Sequence, residues 1–187
     1  MLINDLASAL PQGLVESLVA GAIGDDPELS PRVDRLTFGQ VHRVYTASLP
    51  ALSEAGLDAA YPVSWRAIAS EDGEPAAAVY FSIEPHPVDG VEVDIWGLNY
   101  GEFVAATWEA WNAHTDIDGD YIVRLLDLPE IQHAHLWLHR VGGQTSEGDL
   151  LVALTPDRDR ELVRAAALVE ELRSVALEAL EGEDELP

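Results

Sequence analysis

An α+β fold is predicted for this chain: a single domain in which a mostly antiparallel sheet of about six or seven strands is packed by a central helix and a long C-terminal helix. Three observations predict it. Residues 63–96 and 121–154 alternate polar and apolar side chains with period two, and Asp-Gly, Pro and Gly-Gly signals punctuate them. Residues 99–111 and 155–181 repeat apolar side chains every three to four positions, as a helix lying on another surface does. The 187 residues suffice for one core, since a chain of this size buries about 70% of its open-chain surface. The domain is expected over 1–182, with 1–24 as an N-terminal helical flank and 183–187 as a frayed acidic tail.

Pro11 suits a first helical turn. Leu14, Val15, Leu18, Val19, Ala22 and Ile23 then recur at helical spacing up to Gly24 and the pair Asp25-Asp26. From Phe38 to Ala47, Val41, Arg43 and Tyr45 fall opposite His42, Val44 and Thr46, which reads as a strand. The Ala- and Leu-rich stretch Pro50–Ala60 predicts a short helix. Val63–Ser70 and Ala76–Glu84 flank Glu71-Asp72-Gly73-Glu74-Pro75 as a hairpin, and a turn over Pro85–Gly90 leads to a third strand bearing Val91, Val93 and Ile95. Clean alternation there predicts one covered sheet face and one partly wet.

Asn99 and Glu102 fit a reciprocal cap for the central helix, whose stripe is Phe103, Val104, Thr107, Trp108 and Trp111. Three strands follow, Tyr121–Leu126, His133–Val141 and Leu150–Leu154. Thr155, Pro156, Asp157 and Asp159 then read as the start of a helix running to about Glu181, with Leu162, Ala165, Ala166, Val169, Leu172, Ala176 and Leu180 on its apolar arc. Packing on its own domain is preferred for that arc, with a homodimer through the same helix as the second option, because sustained heptads are missing.

With 34 acidic residues against 10 basic ones, all arginine, the chain carries a net charge of −24. That disfavours direct docking on nucleic acid or an anionic membrane. Arginine without lysine is what a GC-rich genome produces. With no cysteine, disulfides, thiolate nucleophiles and Cys-held metals are excluded. The opening residues have no basic run, and Pro11, Gln12 and Glu16 interrupt their apolar stretch, so no export signal is read and a cytoplasmic location is expected.

Two constellations could carry function. His133, His135 and His139 share a parity with Trp137, and an H-x-H pair on a strand can set two imidazoles on one divalent metal. Asp127 or Glu130 would be a remote ligand or base, and His42 a pocket neighbour. The plainer reading makes this a wet strand face with Leu136 and Leu138 in the core. Asp116, Asp118 and Asp120 start like a calcium loop, but Gly119 and Tyr121 break the pattern, so a solvated turn is the expectation. Together with Glu71 and Asp72 these three are the candidate residues for binding a basic protein. A stacking platform from Trp65-Arg66 or from Trp108 and Trp111 ranks below core packing. Arg124 is read as a half-buried partner for a carboxylate.

The segments Gly101-Glu102-Phe103-Val104-Ala105-Ala106-Thr107, Arg124-Leu125-Leu126-Asp127-Leu128-Pro129 and Leu136-Trp137-Leu138-His139 resemble a group of uncharacterised bacterial proteins over the second half of the chain. The resemblance implies a helix, a strand ending in proline, a further strand and a bacterial source; it implies no activity. His133 and His135 depart from it, where that group has apolar or small residues, which weakens the metal reading. The leading expectation is an acidic accessory or inhibitory protein that binds another protein, without cofactor. The alternative is a metal-binding protein or enzyme centred on His133, His135 and His139.

Overall fold

Asp72 and Gly73 both hold positive φ, 54° and 87°, the pattern of a two-residue turn whose twist matches that of the strands it joins. The hairpin they close is longer than its sequence signal, and its turn is tighter: β3 runs Tyr61–Glu71 and β4 Glu74–Glu84. In this computed structural model, residues 1–4, 13, 17, 20–21, 23–24, 26–84, 92–143, 145–154 and 161–184 are described, except for the side chains of 4, 176 and 179–184. Most of the expected N-terminal helix, the Pro85–Gly90 turn and the Thr155–Asp159 cap lie outside them. Gly13, Ser17, Ala20, Gly21, Ile23 and Gly24 are helical, and Ile23 is fully buried.

Among the described residues the sheet has nine strands, not six or seven. The remaining strands are β1 (Leu2–Asn4), β2 (Leu36–Thr46), β5 (Glu92–Asn99), β6 (Tyr121–Leu128), β7 (His133–Arg140), β8 (Leu150–Ala153) and β9 (Leu162–Arg164). Their order is β5-β4-β3-β2-β6-β7-β8-β9, with β1 beside β6. Two antiparallel meanders are thus joined along a short parallel seam, Arg43–Tyr45 against Arg124–Leu126, and β1 is parallel to β6 as well.

Among the described residues, three α-helices run unbroken: α1 (Leu49–Ala55), α2 (Glu102–Ala113) and α3 (Ala165–Asp184). On one face, α2 sets Val104, Ala106 and Ala110 against Ile68, Val123, Leu125 and Leu136. On the other, α1 and α3 set Leu49, Leu52, Leu168 and Leu172 against Leu126, Trp137 and Leu151. Ile23 and Leu29 cover the remaining part of that second face, over Ala67, Val79 and Phe81. Both faces therefore carry core, and the expected partly wet face is found on β5, where Glu92, Asp94 and Trp96 are exposed and Val93 and Ile95 half-buried.

Two helix starts differ from expectation. Gly101, at φ 82°, is the N-cap of α2, and no side-chain cap is made; Asn99 stays in β5. The long helix begins at Ala165, because Leu162–Arg164 pair with Leu150–Val152. That later start turns the buried arc to Ala165, Leu168 and Leu172 and leaves Ala166 exposed. The arc packs inside the chain against α1. Gly56, at φ 60° after α1, makes this approach close, since a Cβ there would lie 2.8 Å from Val169 Cγ1. The helix is continuous to Asp184, past the start of the predicted fray.

Candidate functional site

Among the described residues, Arg66 is the largest side chain fully removed from solvent. It sits on β3 beneath α2, where Nη1 donates to Thr107 Oγ1 at 2.8 Å, and Thr107 in turn donates to Phe103 O at 2.9 Å. The guanidinium lies 4.7 Å from the Phe103 ring centre and 5.5 Å from that of Tyr80. Its Nε and Nη2 make no hydrogen bond among the described residues. Burial holds this guanidinium below its ordinary pKa, while Tyr80 and Asp127 pull it back up. Its pairing partner on β2 is His42, equally buried, whose ring meets Trp111 edge-on at 5.1 Å and whose two nitrogens make no hydrogen bond among the described residues. Burial first, and the Arg66 charge second, push His42 down to about 3.

A buried ion flanked by rings is replaceable by an apolar chain of similar volume at little cost, whereas truncation leaves a void. Arg66→Met is therefore expected to stay within about 1 kcal/mol of wild type in urea unfolding, and Arg66→Ala to lose about 3 kcal/mol. Equal losses in both variants would contradict this account of the site.

Beside Arg66 opens a cavity of about 270 Å³. Tyr80, Asn99 and Phe103 line it from β4, β5 and α2, Asp127 from β6, and Gln132 and His133 from the start of β7, with Ala134 and Leu154. Burial raises the Asp127 carboxyl, with Arg66 opposing, and burial likewise raises the Tyr80 phenol. Gln132 is held at φ 55°, in the left-handed region, directly before β7. Asp127 and His133, paired in the sequence reading as remote ligand and imidazole, do share this cavity.

The three histidines of β7 are not on a wet face. β7 lies between β6 and β8, and α1 and α3 close its second side, so His135 is buried. The His133 and His135 rings are 5.9 Å apart. His139 instead binds Asp149, a buried carboxylate just before β8: His139 Nδ1 is 2.8 Å from Oδ2, which also accepts from Trp137 Nε1 at 2.6 Å. Oδ1 accepts from the Arg140 amide at 2.9 Å. Asp149 thereby ties the Gly-rich β7–β8 connection to both strands. Among the described residues no three His, Asp or Glu side chains gather as metal ligands. His42 is on the α2 face, away from Trp137, which packs against Tyr45. Arg124 stacks over rings, 4.7 Å from Tyr45 and 4.9 Å from Trp137, and among the described residues the expected carboxylate is not beside it. Arg43 similarly covers Trp65 at 5.3 Å.

The candidate acidic residues gather at one end of the sheet. Glu71 is paired with Leu36 at the start of β2, and β6, which runs parallel to β2, starts just after Asp116–Asp120. Asp72, Asp116, Asp118 and Asp120 are exposed, and so are Glu28 and Glu74 at the same end. Glu71 is neutralised by Arg32 at 2.9 Å and Arg35 at 3.0 Å. The terminal amine of Met1 lies 3.6 Å from Asp120 and donates to Gly119 O. A hydrogen bond from Tyr100 holds the Asp26 carboxyl below its ordinary range.

Compared with known proteins, the chain matches no family model, no curated protein and no solved structure. Among the described residues, no helix is long and apolar enough to cross a membrane.

Proposed function

We infer that this chain is an accessory or inhibitory protein that binds a basic partner protein through the acidic end of its sheet, in a cytoplasmic setting. The observation that carries this reading is that three acidic loops, distant in sequence, lie toward the same end of the sheet, the one at which β2 and β6 begin. Asp116, Asp118 and Asp120 supply three exposed charges from one loop, and Glu28, Asp72 and Glu74 supply three more from the others. Glu71 is compensated by two arginines and Asp120 by the terminal amine, so among the described residues the exposed charge at this end is carried by Glu28, Asp72, Glu74, Asp116 and Asp118. A concentrated acidic surface on a chain of net charge −24 raises the encounter rate with cations and sets orientation more than it adds affinity.

The test is affinity capture from a native lysate at low salt with three baits: wild type, Asp116→Asn/Asp118→Asn/Asp120→Asn, and Glu84→Gln/Glu92→Gln/Asp94→Asn. The last removes the same charge from the opposite end of β4 and β5. A specific basic protein is expected on wild type and on the β4–β5 variant, and is lost from the Asp116–Asp120 variant. No basic protein retained, or equal loss from both variants, would sink the reading.

A further inference from the structure

Tyr80, Asn99, Phe103, Asp127, Gln132 and His133 line a space of about 270 Å³, close to the lower bound of about 300 Å³ for small-molecule sites. None of these groups is needed for the acidic surface, and β6 carries Asp127 at the end opposite to Asp120. The wall combines one carboxylate, two amides, a phenol and an imidazole with an aromatic ring and two aliphatic side chains.

Charge decides the ligand class first. The Asp127 carboxylate and the Arg66 guanidinium behind Tyr80 and Phe103 oppose one another. A cation drawn to Asp127 is repelled by Arg66, and an anion drawn to Arg66 meets Asp127 and cannot touch the fully buried guanidinium. A ligand of zero net charge avoids both penalties. Hydrogen-bonding capacity decides next. Asp127 can only accept when ionised, whereas Asn99, Gln132 and Tyr80 both donate and accept. A hydroxyl is itself donor and acceptor, so a run of hydroxyls satisfies this mixed wall, while a ligand offering only acceptors leaves Asp127 facing a lone pair. The Phe103 ring with Ala134 and Leu154 offers an apolar surface for the C–H side of such a ligand. Gln132 lines the site from a left-handed backbone conformation at φ 55°, the kind of local strain that persists only where surrounding structure enforces it.

We propose that this cavity binds a neutral polyhydroxylated ligand the size of one sugar ring, with Asp127, Asn99 and Gln132 hydrogen-bonded to its hydroxyls and Phe103 against its C–H face. Saturation-transfer NMR and titration calorimetry test this with glucose, galactose, mannose and myo-inositol, alongside propylamine and propionate as charged comparators. Wild type, Asn99→Ala and Asp127→Ala would each first be shown to be folded by circular dichroism. Asn99 is exposed, so its truncation leaves the core intact even if Asp127→Ala fails to fold.

At least one of the four polyols is expected to bind wild type with millimolar or tighter affinity, weakened about ten-fold or more by Asn99→Ala and abolished by Asp127→Ala. Neither charged comparator is expected to compete. The proposal is overturned if no polyol binds the folded wild type, if the affinity is the same in Asn99→Ala, or if propylamine or propionate binds more tightly than every polyol.

Discussion

Replacing His42 with leucine is expected to flatten the acid side of the stability curve. His42 is fully enclosed between β2, β3 and α2, with Arg66 and Trp111 as neighbours. Its folded-state pKa is about 3, against 6.5 for a free imidazole. Above pH 6.5 neither state is protonated there, and His42 adds no pH dependence. Between 6.5 and about 3 the unfolded chain takes up a proton that the folded one refuses, so stability falls by about 1.4 kcal/mol per pH unit. Carboxylates elsewhere titrate in both proteins and cancel in the comparison. Urea unfolding of wild type and His42→Leu at pH 7 and pH 5 should show the difference between them shift by about 2 kcal/mol in favour of the variant at the lower pH. An unchanged difference would mean that His42 is protonated where it sits.

The second large effect is expected at Asp149. Three donors converge on this buried carboxylate: the Trp137 indole, the His139 ring and the Arg140 amide. Asp149→Ala leaves the first and third without their acceptor inside the protein, and a hydrogen bond to a charged group is worth about 1.5–3 kcal/mol. A loss of about 4 kcal/mol is expected by urea unfolding, with Asp149→Asn losing less because an amide oxygen can still accept. The Trp137 indole proton should also shift in the NMR spectrum of both variants. A loss below about 1 kcal/mol in Asp149→Ala would show that the cluster is dispensable.

Legibility in the sequence followed locality. The β3–β4 hairpin could be read because Asp72-Gly73 and the alternation on both sides are local signals. So could the strands at Tyr121, His133 and Leu150, and the partition of Val41 and Tyr45 from Val44 in β2. The three-residue strands β1 and β9 were invisible, being too short to show a period. Leu162 also continued the helical arc that follows it. Nothing local marks the parallel seam between β2 and β6, yet that seam makes β7 an interior strand and turns the expected wet histidine face into core.

The sites depend still more on what is non-local. Core packing ranks above a stacking platform for Trp65-Arg66, but that the guanidinium itself is fully enclosed shows only once α2 arrives, since arginine is seldom fully buried. Asp149 carries no signal beyond being a polar residue ahead of an apolar strand. The cavity draws Tyr80, Asn99, Phe103 and Asp127 from four separate elements. The acidic residues were identifiable by type, but their gathering at one sheet end follows from register alone.

The most direct test of the acidic-end account is the association rate of the captured partner with wild type and with Asp116→Asn/Asp118→Asn/Asp120→Asn, measured by stopped flow at low and high salt. For wild type the rate is expected to fall about ten-fold or more as salt screens the charges, and the variant is expected to start slower and fall less. A rate indifferent both to salt and to the loss of those three carboxylates would contradict the account.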